Sequence, residues 1–325
     1  MAAAARGRYP GAPMRRLVLA LVLALVVVPT ASAGILLGVY GNEPHFRSVS
    51  WQRSDIQMLF VSFGPQRWLQ QRLATYTPVP MLALVPGSYG SPETANPRGI
   101  ATGATDDLLF QINSIVAGWP GSRFYLRPFP EMNGYWETEC AYNQDGSPRD
   151  ANHATVWTRK AFARIAVIVR GGTRARIDAQ LARLGLPPAG RDLPVTTPKL
   201  RMVWNPQGFG APDLPGNSAQ AYYPGDAYVD VVGDDLYDQH FHAAWAAAEA
   251  MYRAHPGKPF GFPEWGLWGI DDPQFVRDMA GWLHSHPGTE FATYYSGRPG
   301  SIWDLASKPK SRAAYRRLIA PLNAR

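Results

Sequence analysis

The chain has 325 residues, 46% of them hydrophobic and 18% charged, and 31 Gly and 30 Pro are spread along its length. That apolar share excludes a disordered solvating chain, and the dispersed helix breakers exclude a coiled coil or a plain helical bundle. The formal charge of +7 invites a nucleic-acid reading, but Arg6, Arg8, Arg15 and Arg16 carry four of those charges at the N-terminus.

Residues 1–33 join this basic start to the apolar run Leu17–Val28 and the small-residue sequence Pro29-Thr30-Ala31-Ser32-Ala33. Basic start, apolar stretch and A-x-A site together make a secretory signal peptide, and the run is shorter than the roughly 20 residues a spanning helix needs. The protein is therefore expected to be secreted or held in the cell envelope, with no stable membrane association once the signal is cut. Without the leader the charge falls to +3 over the remaining 292 residues. No long Lys/Arg run survives there, so no nucleic-acid partner is expected. Cys140 is the only cysteine, which rules out an internal disulfide and a cysteine-built metal site; it reads as a partly buried thiol.

From residue 34 onward, eight apolar, β-branched or aromatic runs predict strands: Ile35–Tyr40, Met58–Phe63, Met81–Val85, Phe124–Pro128, Leu200–Trp204, Val229–Gly233, Phe260–Glu264 and Phe291–Tyr295. Most are continuous rather than alternating, as in strands covered on both faces. Helical periodicity falls between them. Leu108, Ile112, Ile115 and Trp119 form one apolar stripe behind Thr105-Asp106-Asp107. Trp157, Ala161, Ile165 and Ile168 form a second within 152–170. Phe241, Trp245, Ala248 and Tyr252 form a third, and Phe275, Met279 and Leu283 a fourth behind the Asp272-Pro273 cap. Tyr315, Leu318, Ile319 and Leu322 form the last. No helix is evident between the first two strands, and 171–199 reads mostly as loop. Eight strands alternating with helices over about 290 residues is the arithmetic of a (β/α)8 TIM barrel, one α/β domain over 34–325.

In such a barrel the chemistry lies at the C-terminal strand ends. The fourth predicted strand leads into Arg127-Pro128-Phe129-Pro130-Glu131-Met132-Asn133-Gly134-Tyr135-Trp136, and the seventh into Phe262-Pro263-Glu264-Trp265-Gly266. Each puts a carboxylate at one rim. Two carboxyl groups facing across a sugar-sized gap can cleave a glycosidic bond, one ionised and one protonated. Trp136, Trp204, Trp265, Trp268 and Trp303 fall at or just beyond strand ends, where rings can stack on sugar faces. Glu137, Glu139 and the acids Asp226, Asp230, Asp234, Asp235 and Asp238 read as solvated or capping groups.

The segment R-P-F-P-E-M-N-G-Y-W resembles the fourth-strand motif of glycoside hydrolase family 26, the β-mannanases and their relatives. Val203-Trp204-Asn205-Pro206, Tyr222-Tyr223-Pro224-Gly225-Asp226 with Val229–Gly233, and Pro259–Gly266 are similar to later motifs of that family, in the same order. The resemblance implies a retaining mechanism, with Glu131 as general acid/base and Glu264 as nucleophile. It further implies that Tyr237 contacts the nucleophile, that Trp136 and Trp303 are sugar platforms, and that Arg127 and Asn133 shape the pocket floor. The substrate it implies is a polysaccharide or oligosaccharide, mannan-type first, with β-1,3-xylan and mixed-linkage glucan as family alternatives. Neither a cofactor nor a metal is required, and a monomer is expected. One position departs from the family: its histidine before the acid/base is Pro130 here. Two other readings stand beside this one. A non-catalytic glycan-binding barrel for cell-envelope polysaccharide would have lost turnover through Pro130, and a metal-dependent hydrolase would use His240 and His242.

Overall fold

The computed structural model describes residues 1, 34–76, 78–87, 91–239 and 243–323. Residues 2–33, expected from the sequence to belong to a signal peptide, and the His240-Phe241-His242 stretch lie outside the described residues.

Among the described residues there are nine parallel strands: β1 (Leu36–Gly41), β2 (Ile56–Ser62), β3 (Val79–Val85), β4 (Phe124–Pro128), β5 (Leu200–Trp204), β6 (Val231–Gly233), β7 (Leu236–Asp238), β8 (Phe260–Leu267) and β9 (Thr289–Gly297). Each pairs with its neighbour in sequence from β1 to β6, β9 pairs with β1, and β8 pairs with both β6 and β9. That circuit closes an eight-stave barrel. The ninth strand, β7, continues the sixth stave: β6 pairs with the start of β8 through Val232 and Gly233, and β7 with its end through Leu236, Tyr237 and Asp238. Asp234 and Asp235 occupy the break between them.

The expected strands are all present, each within a few residues of its place. Around them run α1 (Glu43–Ser50), α2 (Leu69–Leu73), α3 (Pro97–Ala101), α4 (Asp106–Gly118), α5 (Thr155–Arg170), α6 (Arg174–Arg183), α7 (Trp245–Ala254), α8 (Pro273–Ser285) and α9 (Pro309–Leu318). Four of these were not expected: the five-residue α2 and α3, and the longer α1 and α6. In α1, Asn42 caps the start by accepting from the His45 N–H at 3.0 Å, but only Phe46, Val49 and Ser50 are buried, too few for a periodic signal. In α6 only Ile177 and Leu181 are buried, amid charged residues that hide the stripe. Asp272 caps α8 as its sequence suggests, accepting from the Gln274 N–H at 2.7 Å. Thr105 precedes α4 without a side-chain capping bond.

Alternation along the strands sorts the core into two layers. Ile56, Met58, Met81, Ala83, Tyr125, Val203, Val231 and Phe291 fill the barrel interior. Residues one step out of phase, among them Leu82, Leu126, Met202 and Trp204, pack outward against the helices. The phase set by Tyr125 carries Arg127 inward at the top of β4.

The rhythm breaks in β8. Phe262 pairs with Ala292 and Trp265 with Tyr294, so three steps on β8 match two on β9. This is a β-bulge, one extra residue in the strand. Phe262 and Trp265 both face the outer layer, and Pro263 and Glu264 stand between them. The Pro263 ring packs where a Cβ on Gly233 would lie 2.7 Å from its Cγ, so glycine is required opposite the bulge. Among the described residues no helix is long and apolar enough to cross a membrane.

Candidate active site

Glu131 sits on a strained turn. Phe129 and Glu131 both have left-handed backbones, φ 55° and 53°, on either side of Pro130. Non-glycine residues avoid this region unless their surroundings over-determine it, and such strain gathers at functional sites. Here the neighbouring staves supply the constraint: the Phe129 N–H donates to the Leu84 carbonyl at 2.9 Å and the Glu131 N–H to the Asn205 carbonyl at 2.8 Å. The Phe129 ring stacks on Phe63 with centroids 5.9 Å apart, which drives residue 129 outward and leaves Glu131 over the barrel mouth.

The Glu131 carboxyl receives two side-chain bonds, from Trp136 Nε1 to Oε2 at 2.5 Å and from Gln207 Nε2 to Oε1 at 2.6 Å. Burial, and after it the charge of Glu264, pushes its pKa up to about 7, against the pull of the Trp136 bond and Arg127. The Trp136 ring reaches it only because residue 134 is glycine: a Cβ there would lie 2.4 Å from the indole. Gly134→Ala is expected to swing the indole away, raising the Glu131 pKa further in an NMR carboxyl titration. Overpacking should also cost about 1–3 kcal/mol of stability.

Glu264 lives in the opposite environment. Its Oε1 accepts from Arg127 Nη1 at 2.5 Å and its Oε2 from the Tyr237 hydroxyl at 2.6 Å. Arg127 is wholly buried and its guanidinium is fully committed: Nε donates to Asn205 Oδ1 at 2.5 Å, and Nη2 donates to Asp235. Asp235 in turn accepts from the Glu264 backbone N–H at 2.9 Å. Burial raises the Asp235 carboxyl while Arg127 lowers it. Both its oxygens accept, so the ionised form is the one these donors serve. One guanidinium thus anchors two acids from neighbouring staves and fixes the orientation of Glu264. The adjacent Asp234 accepts from the Gly208 N–H at 2.9 Å, and burial pushes it up to about 8.

Glu131 and Glu264 face one cavity of about 800 Å³ at the C-terminal mouth of the barrel. Its walls are largely aromatic. Tyr237 meets Trp268 edge-on with centroids 5.8 Å apart, Trp268 meets Trp303 at 5.4 Å, and Trp303 meets Tyr295 at 5.1 Å. Trp136 and Tyr135 stand on the Glu131 side. A cavity of this size, with aromatic walls and two carboxyls in contrasting surroundings, can hold a sugar ring and move a proton on one side while presenting a fixed anion on the other.

No family model matches the chain, and no curated protein matches it in sequence. Solved structures do. A Bacillus subtilis mannanase, BCman, superposes with a TM-score of 0.56 at 17% identity, covering 88% of this chain and 86% of that one. A family 26 β-mannanase of Bacteroides ovatus gives 0.52 at 13% identity, covering 87% and 90%. A family 5 glycoside hydrolase of Prevotella bryantii B14 gives 0.53 at 12%, covering 85% and 86%. At these identities the likeness is one of fold: the chain is built like these barrels along most of its length.

Of the residues singled out in the sequence, Glu131, Glu264, Trp136, Tyr237 and Trp303 all line the cavity. Arg127 lies beneath it and holds Glu264 rather than facing the space. Asn133 is also fully buried. Its Nδ2 donates to the Gln207 and Phe209 carbonyls, each at 3.0 Å, and its Oδ1 accepts from the Gln207 N–H at 2.7 Å, so it fastens the loop that carries Gln207. Trp204 and Trp265 are corrections. Neither is exposed at all: Trp204 packs edge-on to Tyr223 at 4.8 Å, and Trp265 stacks on Tyr315 at 5.6 Å, both in the outer layer. Strand phase turns them away from the cleft, so they are core residues and not sugar platforms.

The acids expected to be solvated also differ. Asp234, Asp235, Asp238 and Glu139 are buried, and Glu137 lines the cavity. Cys140 is fully rather than partly buried. Sequence reasoning missed Asp235 and Gln207 as site residues. Gln207 directly follows the Trp204-Asn205-Pro206 motif, a signal that could have found it, whereas the pairing of Asp235 with Arg127 is visible only in three dimensions. Among the described residues no group of three or more His, Cys, Asp or Glu is placed to hold a metal ion.

Proposed function

We propose that the chain is a retaining glycoside hydrolase cutting a β-linked polysaccharide, with Glu131 as acid/base and Glu264 as nucleophile. The observation that carries this is the contrast between two carboxyls at one cavity: Glu264 accepts from a guanidinium and a phenol, while Glu131 is pushed up to about 7. A pair so divided supports double displacement. In the first step a Glu264 oxygen bonds to the anomeric carbon as the glycosidic C–O bond breaks, and Glu131 gives its proton to the departing oxygen. In the second, Glu131 takes a proton from water, whose oxygen bonds to the same carbon and releases Glu264. A retaining pair stands about 5–5.5 Å apart, an inverting pair further. The structural likeness to mannanases and to a family 5 enzyme supports the same class, and the motif resemblance makes an endo-acting mannanase the first substrate to try. Pro130 offers no donor to the glycan where the family has histidine, so Pro130→His is expected to change rate or glycan preference.

The pH dependence follows from the sign of the shift. Glu131 must be protonated in the first step, so kcat/KM should fall as pH rises through about 7. A profile flat across neutrality would remove Glu131 from its role.

The deciding experiment is hydrolysis of mannan, glucomannan, β-1,3-xylan, mixed-linkage glucan and bacterial envelope glycans by the protein, beside Glu131→Ala and Glu264→Ala. Cleavage lost in both variants supports the reading and names the substrate. Binding without cleavage of any glycan would point to a carbohydrate-binding barrel. The order of basic, apolar and small residues in 1–33 supports export with removal of that segment, leaving a single barrel domain over 34–325. N-terminal sequencing of exported protein checks the cut.

A further inference from the structure

Among the described residues the cleft has acids to spare and no free cation. Glu131, Glu137, Asp235 and Glu264 all line the cavity, and among the described residues no lysine, arginine or histidine does. The two arginines nearest this acidic side are already committed. Arg127 serves Asn205, Glu264 and Asp235. Arg149 serves backbone carbonyls alone, donating from Nη2 to Tyr135 at 3.0 Å and from Nη1 to Glu137 at 2.9 Å and to Thr138. His153 is likewise engaged, by Glu93 and Asp150, each at 2.8 Å.

Among the described residues no cation is bonded to the cavity-lining carboxyl of Glu137, and its Oε2 is buried with no hydrogen-bond partner. Behind it Glu139 is wholly buried, with both oxygens unpartnered. Carboxylates in such a setting are costly as ions unless a cation or strong donor joins them. Burial first, then the charges of Glu139, Glu131 and Glu264, push Glu137 up to about 10, with Arg127 pulling weakly the other way. Glu137 is thus held as the neutral acid in the empty cleft, and an arriving cation is what would draw off its proton and supply the missing partner.

We propose that Glu137 recognises an unacylated amino sugar, so that the glycan held in the cleft is a β-linked polymer carrying free hexosamine amines. The proposal rests on the glycosidase reading for the site it occupies, and it narrows the substrate away from neutral mannan. A sugar ammonium brings positive charge and three donors on a compact centre, which suits a carboxyl whose buried oxygen has no partner. Aromatic walls hold the ring face, and Glu137 selects the substituent. Acetylation of the amine would remove the charge that Glu137 seeks.

Calorimetric titration of the protein and of Glu137→Gln with a β-1,4-linked glucosamine hexasaccharide, its N-acetylated counterpart and mannohexaose tests this, at slightly acid pH and at low and high salt. The free-amine sugar is expected to bind about tenfold tighter than the acetylated one, the range of one charge-assisted hydrogen bond. High salt should reduce that advantage, and Glu137→Gln, in protein that still melts cooperatively, should abolish it, so that the free-amine and acetylated sugars bind alike. Equal affinities, or an advantage that survives in Glu137→Gln, would overturn the proposal. Hydrolysis followed on the same three sugars separates the two readings. Glu137-dependent binding without cleavage retires the glycosidase and keeps the recognition role, whereas cleavage of mannohexaose or the acetylated sugar with no preference for the amine does the reverse.

Discussion

Replacing Glu264 by alanine is expected to lower kcat on the cleaved glycan by on the order of 10⁴-fold or more, the scale seen when a nucleophile or its close partner is removed. The loss should be in the chemical step, with substrate affinity little changed, because the aromatic walls and Glu131 remain. Folding should survive, since Arg127 keeps its pairing with the Asp235 side chain and its bond to Asn205. Circular dichroism and a melting curve beside the kinetics check this. A Glu264→Ala variant that turns over at the parental rate would end the nucleophile assignment, whereas Glu131→Ala is expected to lose about 10²–10⁴-fold, the usual share of general acid–base catalysis.

Arg127→Met should do more damage than either, and to two properties at once. The side chain is fully buried and neutralises Asp235 and Glu264, whose side chains are 0% and 8% exposed. Removing it leaves two acids facing each other with no counter-ion, a change that costs about 3–5 kcal/mol when a buried pair is broken. Denaturant unfolding reads that loss. In protein that still folds, one of the two acids must take a proton, and turnover should fall with the loss of an ionised Glu264. Arg127→Lys separates the effects: it restores a charge but not the three-way fork, so stability should recover in part while kcat stays low. Full activity in Arg127→Lys would mean that charge alone, and not the fixed geometry, is what Glu264 needs.

The barrel was legible because its staves are buried on both faces, and runs such as Met81–Val85 or Phe124–Pro128 have no solvent face to dilute them. Where burial is thin the signal thins with it. α1 and α6 bury two or three residues each, and no period emerges from so few. The two glutamates were legible through position and motif, since both follow strands that must end at the same rim. Their partners were not. Arg127 and Asp235 are 108 positions apart, and Asp235 sits in a break of the sixth stave that nothing in Asp234-Asp235 announces. The tryptophans show the limit of reading by proximity: Trp265 is next to Glu264 in sequence and on the other side of the sheet in space. Being near a strand end says which rim a residue belongs to, but only the phase of the pleat says which face.

That phase is reset once, by the bulge in β8. In an unbroken strand, positions an even number of steps apart share a face, and Glu264 would share the face of Phe262. The extra residue changes the parity. It lets Phe262 and Trp265 both remain in the greasy layer under the helices while the acid between them turns to the axis. The orientation of the nucleophile is in this sense a counting property of the chain: with all four residues from Phe262 to Trp265 kept and the bulge ironed out, β8 would have to turn the carboxylate outward and the indole inward, or else turn the Phe262 ring into the barrel. Loops around this mouth can lengthen or shorten without touching that choice, which is made within the four residues from Phe262 to Trp265.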